Sequence, residues 1–138
     1  MTDTFAHTGM PEHFGIRITS VDKDKLVGEL DVDHRHINNS GNVHGGALLA
    51  FADDLGGSVA KLNIPSGFRT TTIESKSNIL RACTPGKLTA VATPLHVGRR
   101  TVVVQTSIYR ADGKLAAMMI QTQMVLPREP KRTDEAPS

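Results

Sequence analysis

The order of elements in this 138-residue sequence predicts an α+β fold, an antiparallel sheet packed against one long helix. Two observations carry that expectation. Residues 46–62 form the one long stretch that is rich in Ala and Leu and free of Pro, and Asn63-Ile64-Pro65-Ser66-Gly67 stops it. Every other patterned segment, two before the helix and four after it, is β-branched or alternates apolar with polar residues, as half-buried strands do.

Taken in order, residues 15–21 set Ile16 and Ile18 against Arg17 and Thr19, and residues 26–32 set Leu26, Gly28, Leu30 and Val32 against Val27, Glu29 and Asp31. Asp22-Lys23-Asp24-Lys25 is the turn that joins them. In the helix, apolar residues fall on nearly every face, which predicts a helix wrapped by other structure. Gly56-Gly57 in its interior weakens it relative to Ala, so another backbone is expected to pack close there. The later strands are expected at residues 69–80, 86–97, 100–110 and 114–126, broken at Pro85-Gly86, Gly98-Arg99 and Ala111-Asp112-Gly113. Asp112-Gly113 is a hairpin signal. Residues 1–10 read as a flexible N-terminal segment, residues 11–127 as the single domain, and residues 128–138, mixing Pro with charge, as a disordered tail.

Composition removes several function classes. Aromatic residues are 4% of the chain, too few for base-stacking platforms, and the net charge of +2 is spread without a basic run, so no nucleic acid partner is expected. Cys83 is the one cysteine; it excludes an internal disulfide, favours a cytoplasmic location, and sits poorly for a nucleophile beside Thr84-Pro85-Gly86. No stretch approaches the roughly 20 apolar residues that span a bilayer, so no membrane partner is expected. The run Asp31-Val32-Asp33-His34-Arg35-His36 has ligand-type side chains, but no further cluster follows it, and no metal is expected.

Chemistry concentrates at the helix. His44, Gly45 and Gly46 precede its apolar run, so the first backbone N–H groups lack intrahelical partners and carry the positive end of the dipole. Such donors suit a developing oxyanion. Asp53 then interrupts residues 47–56, which are otherwise apolar or small except for Asp54, and a shielded carboxylate there is costly unless chemistry uses it. Asp54 is turned about 100° around the helix and is expected to face away.

The series Asn38, Gly41, His44, Gly45, Gly46, Asp53, Gly57 and Ala60 resembles the acyl-CoA thioesterases of the hotdog superfamily, in its phenylacetate-degradation (PaaI-like) branch. Thr72-Ile73-Glu74, Asn78-Ile79-Leu80-Arg81, Pro85-Gly86 and His96-Val97-Gly98-Arg99-Arg100 extend the resemblance to roughly residues 12–127. It implies a hotdog fold with no cofactor and CoA as part of the substrate. It also implies a homodimer with shared active sites, often paired again into a homotetramer.

Among site residues the resemblance implies Asp53 as catalytic carboxylate, either general base or nucleophile, the Gly45 N–H and Asn38 on the thioester carbonyl, and His44 as an orienting group. Some branches place a hydroxyl one turn after the carboxylate; here that position is Gly57, and Thr72 is the substitute, though it equally suits an ordinary strand. Gly46, Gly98, Arg99 and Arg100 are expected along the CoA arm, with Arg81 and Lys87 as further phosphate contacts. Met118-Met119 is core filling or an acyl-pocket wall.

The chain therefore reads as an acyl-CoA thioesterase that releases a carboxylic acid and free CoA. Two other readings stay open: an enoyl or hydroxyacyl-thioester hydratase or dehydratase with His44 as base, and a non-catalytic acyl-CoA-binding module. Helix geometry adds an expectation about assembly. Gly45 and Asp53 lie eight positions apart, about 12 Å along one helix, so one thioester reaches both only if a second, antiparallel helix brings Asp53 of one chain to Gly45 of another.

Overall fold

The computed structural model describes residues 8–130, and the predicted α+β hotdog architecture is what it shows. The elements run α1 (Met10–Phe14), β1 (Arg17–Val21), β2 (Leu26–Asp31), α2 (Gly45–Lys61), β3 (Phe68–Ile79), β4 (Lys87–Val97), β5 (Thr101–Tyr109) and β6 (Leu115–Pro127). All six strands form one antiparallel sheet in the order β1-β2-β4-β5-β6-β3. The strand after the helix thus crosses to the far edge, and β3 pairs only with β6.

α2 lies across the inner face of the sheet because its apolar side meets the inward residues of β2, β4, β5 and β6. Phe51, Leu55 and Val59 of the helix are fully buried with Leu26, Leu30, Leu88, Val102 and Val104. Each such side chain contributes roughly 1.5–3 kcal/mol by leaving water. Gly28 makes the seat: a Cβ there would stand 2.9 Å from both terminal carbons of Leu55, so the glycine lets the helix rest on β2.

Within one chain the sheet covers α2 on one side, and Gly46, Ala50, Asp53, Gly57 and Lys61, at helical spacing, form a stripe that it leaves partly or fully uncovered. At the N-terminal boundary Met10–Phe14 is a short helix with Pro11 in its first turn and Gly15, at φ 75°, closing it. That Gly-x-Pro…Gly pattern was readable in the sequence. At the other boundary the Arg128 N–H donates to the Gly67 carbonyl at 2.9 Å and its Nε to the Phe68 carbonyl at 3.1 Å. Most of the expected flexible N-terminal segment and C-terminal tail, residues 1–7 and 131–138, lies outside the described residues.

Candidate active site

Residues 37–44 are built to present the start of α2. An isolated bridge joins Ile37 to Val43, and within it the Asn38 N–H donates to the Asn42 carbonyl at 2.7 Å. Asn38 Oδ1 accepts from the N–H groups of Ser40 (2.9 Å) and Asn42 (3.2 Å). Gly41, at φ 78°, supplies the left-handed turn that this loop needs. With both contacts falling on the oxygen, the Asn38 amide is oriented with Nδ2 outward, and the exposed side chain keeps its two N–H donors.

His44 is the N-cap of α2. Its Nδ1 accepts from the Gly46 N–H at 2.8 Å, which assigns the ring proton to Nε2 and makes Nε2 a donor rather than a base. The cap takes up the Gly46 N–H, so of the two glycines only Gly45 keeps a donor with no acceptor among the described residues. Gly46 is therefore not a free backbone donor for CoA. Its missing side chain still serves the cap, since a Cβ there would lie 3.0 Å from His44 Nδ1. Below Gly45 sits Ile79, whose Cδ1 would come within 3.1 Å of an added Cβ.

Two turns along the helix, Asp53 opens onto a cleft of about 310 Å³ between α2 and β3. Gly57 and Lys61 continue its helix side and Thr70, Thr71 and Thr72 form its strand side. Asp53 is exposed in the single chain, yet the surrounding protein shields enough of its carboxyl from water to push its pKa above the ordinary carboxylate value. Burial is the sole cause, and no cation offsets it. Asp54 corrects an expectation: it also borders the cleft and is half-buried, because a 100° turn does not carry a neighbour out of an opening this wide. Ser58 is turned inward, its hydroxyl donating to the Asp54 carbonyl at 2.7 Å.

Thr72 lies on the strand side of the cleft and is held by partners the sequence reading missed. Gln123 Nε2 donates both to Thr72 Oγ1 at 2.6 Å and to Gln121 Oε1 at 2.7 Å, and both glutamines are buried. Since the Thr72 hydroxyl accepts from Gln123, its own proton remains available to donate into the cleft. A register slip between Thr72 and Glu74 puts a bulge at Ile73, directly beside this contact. The missed signal was present: in β6, Met119, Gln121, Gln123 and Val125 fall on the buried alternation, and two polar residues on a core face announce a network. The same network explains Gly56, where a Cβ would lie 2.3 Å from Gln121 Nε2. Gly57 has no such reason, for a Cβ there meets nothing within 4 Å. Within the chain, then, Gly56 meets a side chain and Gly57 faces open space, and no other backbone of the chain packs close at either.

One chain therefore holds its candidate residues in two groups: Asn38, His44 and Gly45 at the start of α2, and Asp53 with Thr72 further along. They are separated by eight helical positions, about 12 Å of rise. The CoA candidates are scattered by comparison. Arg99 and Arg100 are exposed at the β4–β5 turn, where Gly98 N–H donates to the Thr101 carbonyl at 2.9 Å. Arg81 already donates to the Leu115 carbonyl at 2.6 Å, and Lys87 pairs with Glu29 at 3.3 Å. Cys83 is buried with its thiol pKa raised by that burial, which fits an inert thiol. His36 is likewise structural, bonded through Nδ1 to the Asp33 N–H and through Nε2 to the Phe14 carbonyl. Met119 fills the core, with Met118 half-buried. Among the described residues no cluster of ligating side chains could hold a metal, and no helix is long and apolar enough to cross a membrane.

Comparison with known proteins agrees with this architecture. Residues 40–117 match the Thioesterase superfamily. The chain is 33% identical over 105 residues to the proofreading thioesterase EntH of Cronobacter sakazakii, spanning 76% of this chain and 77% of that one. It is 29% identical over 111 residues to the 1,4-dihydroxy-2-naphthoyl-CoA hydrolase of Escherichia coli, spanning 80% and 82%. The crystal structure of a Haemophilus influenzae thioesterase superimposes with a TM-score of 0.83 at 31% identity, covering 87% of this chain and 84% of that one. With more than half of its length matched by the family and its sheet and helix shared with a solved thioesterase, the chain belongs to the thioesterase superfamily, as a hotdog-fold thioester hydrolase.

Proposed function

We propose that this protein hydrolyses acyl-CoA thioesters in sites shared between two subunits, with Asp53 of one chain and Gly45 and Asn38 of the other acting on the same thioester. The observation that carries this reading is the separation on α2 of a free N-terminal donor from a partly shielded carboxylate on the stripe that the chain's own sheet leaves open. β3 supports the pairing. It is a twelve-residue edge strand with one side unpaired, and its Ile73 is 54% exposed, as expected of an edge that a second copy covers. An antiparallel copy exchanges the ends of α2 and brings the two half-sites together. Exposed Val97, Ile120 and Met124 on the strands supply an apolar surface for pairing dimers into a tetramer.

In the reaction, the substrate carbonyl oxygen takes the Gly45 N–H and the Asn38 amide, which stabilise the charge that develops on it. The Asp53 carboxylate removes a proton from water as it attacks, or attacks the carbonyl itself to give an anhydride that water then opens. In either route the C–S bond breaks, CoA leaves as the thiol and the acyl group as its acid. Thr72 donates its free hydroxyl proton to the water or to the carboxylate.

The hydratase alternative needs His44 as base, and the cap bond from Gly46 occupies the nitrogen that would have to accept. Asp53→Asn tests the assignment: kcat for thiol release falls on the order of 10²-fold or more, with KM nearly kept. The wild-type pH profile shows activity lost as pH falls through a carboxyl value above the ordinary one, since only the ionised form acts. Near-normal turnover in folded Asp53→Asn refutes the role of Asp53.

A further inference from the structure

The cleft beside Asp53 has two ends of opposite charge. Asp53, Gly57 and Lys61 succeed one another at four-residue spacing on one face of α2, so the carboxylate and the ammonium are about 12 Å apart along the helix. Between them Gly57 presents no side chain, and no atom lies within 4 Å of where its Cβ would be. In the chain itself neither backbone strain nor packing requires that glycine, although it weakens the helix by roughly 1 kcal/mol relative to Ala. It keeps a trench open. Across from it stand three threonines, and no aromatic or large aliphatic side chain lines this cleft.

At Lys61 and Thr70 the trench runs into a second cleft of about 700 Å³. Arg69 and Arg128 join Lys61 there, and no carboxylate lines it. None of these three cations forms an ion pair among the described residues. The Asp53 and Asp54 end of this hydroxyl-lined trench is negative, and its far end, where Lys61, Arg69 and Arg128 have no ion-pair partner among the described residues, is where anions concentrate.

We infer that the trench takes the acyl group, with the reacting carbonyl at Asp53, and that Lys61, backed by Arg69 and Arg128, selects acyl groups that end in a second carboxylate. This rests on the hydrolase reading above. The carboxylate accepts charge-assisted hydrogen bonds from the Lys61 ammonium, while an uncharged acyl end leaves that cation without a partner. The phosphates of CoA are the other anions that three cations would hold, and they are carried by the thiol side of the substrate rather than the acyl side.

The test measures thiol release from glutaryl-CoA and pentanoyl-CoA, of equal chain length, and from the corresponding pantetheine thioesters. Wild type prefers the glutaryl group by about tenfold or more in kcat/KM on both carriers. Lys61→Met erases the preference, Lys61→Arg restores it, and Lys61→Glu reverses it. An equal or greater rate on pentanoyl thioesters in wild type overturns the inference while leaving the hydrolase reading intact. A Lys61→Met effect that is the same for both acyl groups and seen only with CoA also overturns it, and assigns the cations to phosphate. If neither these thioesters nor any other acyl-CoA is cleaved, the hydrolase reading and the inference fail together.

Discussion

The two sides of α2 obey different rules. Its sheet-facing side is fixed by contact: Leu55 rests on Gly28, Phe51 and Val59 are fully buried, and Gly56 leaves room for the Gln121 amide that steadies Gln123 and Thr72. On its open side, Gly46-Ala50-Asp53-Gly57-Lys61, the chain fixes Gly46 through the His44 cap. The stability of one subunit does not explain Asp53 and Gly57, which carry a cost to it. The contrast supports the proposed site on the uncovered side, and adjacent Gly56 and Gly57 display it within one peptide bond.

Filling the open side should have the larger effect on activity. Gly57→Leu adds a good helix former where the chain has space, so the fold is retained, but the trench is blocked and kcat/KM for thiol release falls about tenfold or more. An unchanged rate would mean that nothing passes over Gly57. On the other side, Gly56→Ala forces a methyl against a buried amide. The overpacking cost of about 1–3 kcal/mol exceeds the helix gain of at most ~1 kcal/mol, and thermal scans should show Tm lowered by several degrees. A raised Tm would show that Gln121 moves aside freely. The smallest effect is expected at the junction of the two sides: Thr72→Val removes the hydroxyl that Gln123 holds, lowering kcat a few-fold without changing KM. If kcat stays the same, Thr72 is only a strand residue.

Much of the buried side was legible in the sequence. Six strands and the long helix fall within a residue or two of their expected bounds, because alternation and helical runs report on which face leaves water. Asp53 and His44-Gly45-Gly46 also stood out, as a carboxylate in an apolar run and donors before it. What sequence did not yield were facts of the third dimension. The uncovered stripe on α2 arises because all six strands lie in one sheet on one side of the helix, and no local pattern encodes that arrangement. Gly56 and Gly57 looked alike until Gln121 reached one of them from β6. Lys61, at the last position of the helix, read as an ordinary C-terminal cation until the clefts met beside it.

The central claim is that one site draws on the open sides of two helices, and complementation tests it most directly. Gly45→Pro is a clean way to remove the free N–H: Gly45 is the first helical position, where Pro is favoured, and His44 already has the extended conformation that precedes Pro (φ −63°, ψ 136°). The nearest obstacle is the flexible end of Ile79. Asp53→Asn and Gly45→Pro should each be nearly inactive alone. Refolded together, half of random pairs are mixed and each mixed pair rebuilds one of two sites, so thiol release should return to roughly a quarter of the wild-type rate. Mixed dimers shown to be present with no recovered activity would contradict the shared site and place the whole reaction within one chain.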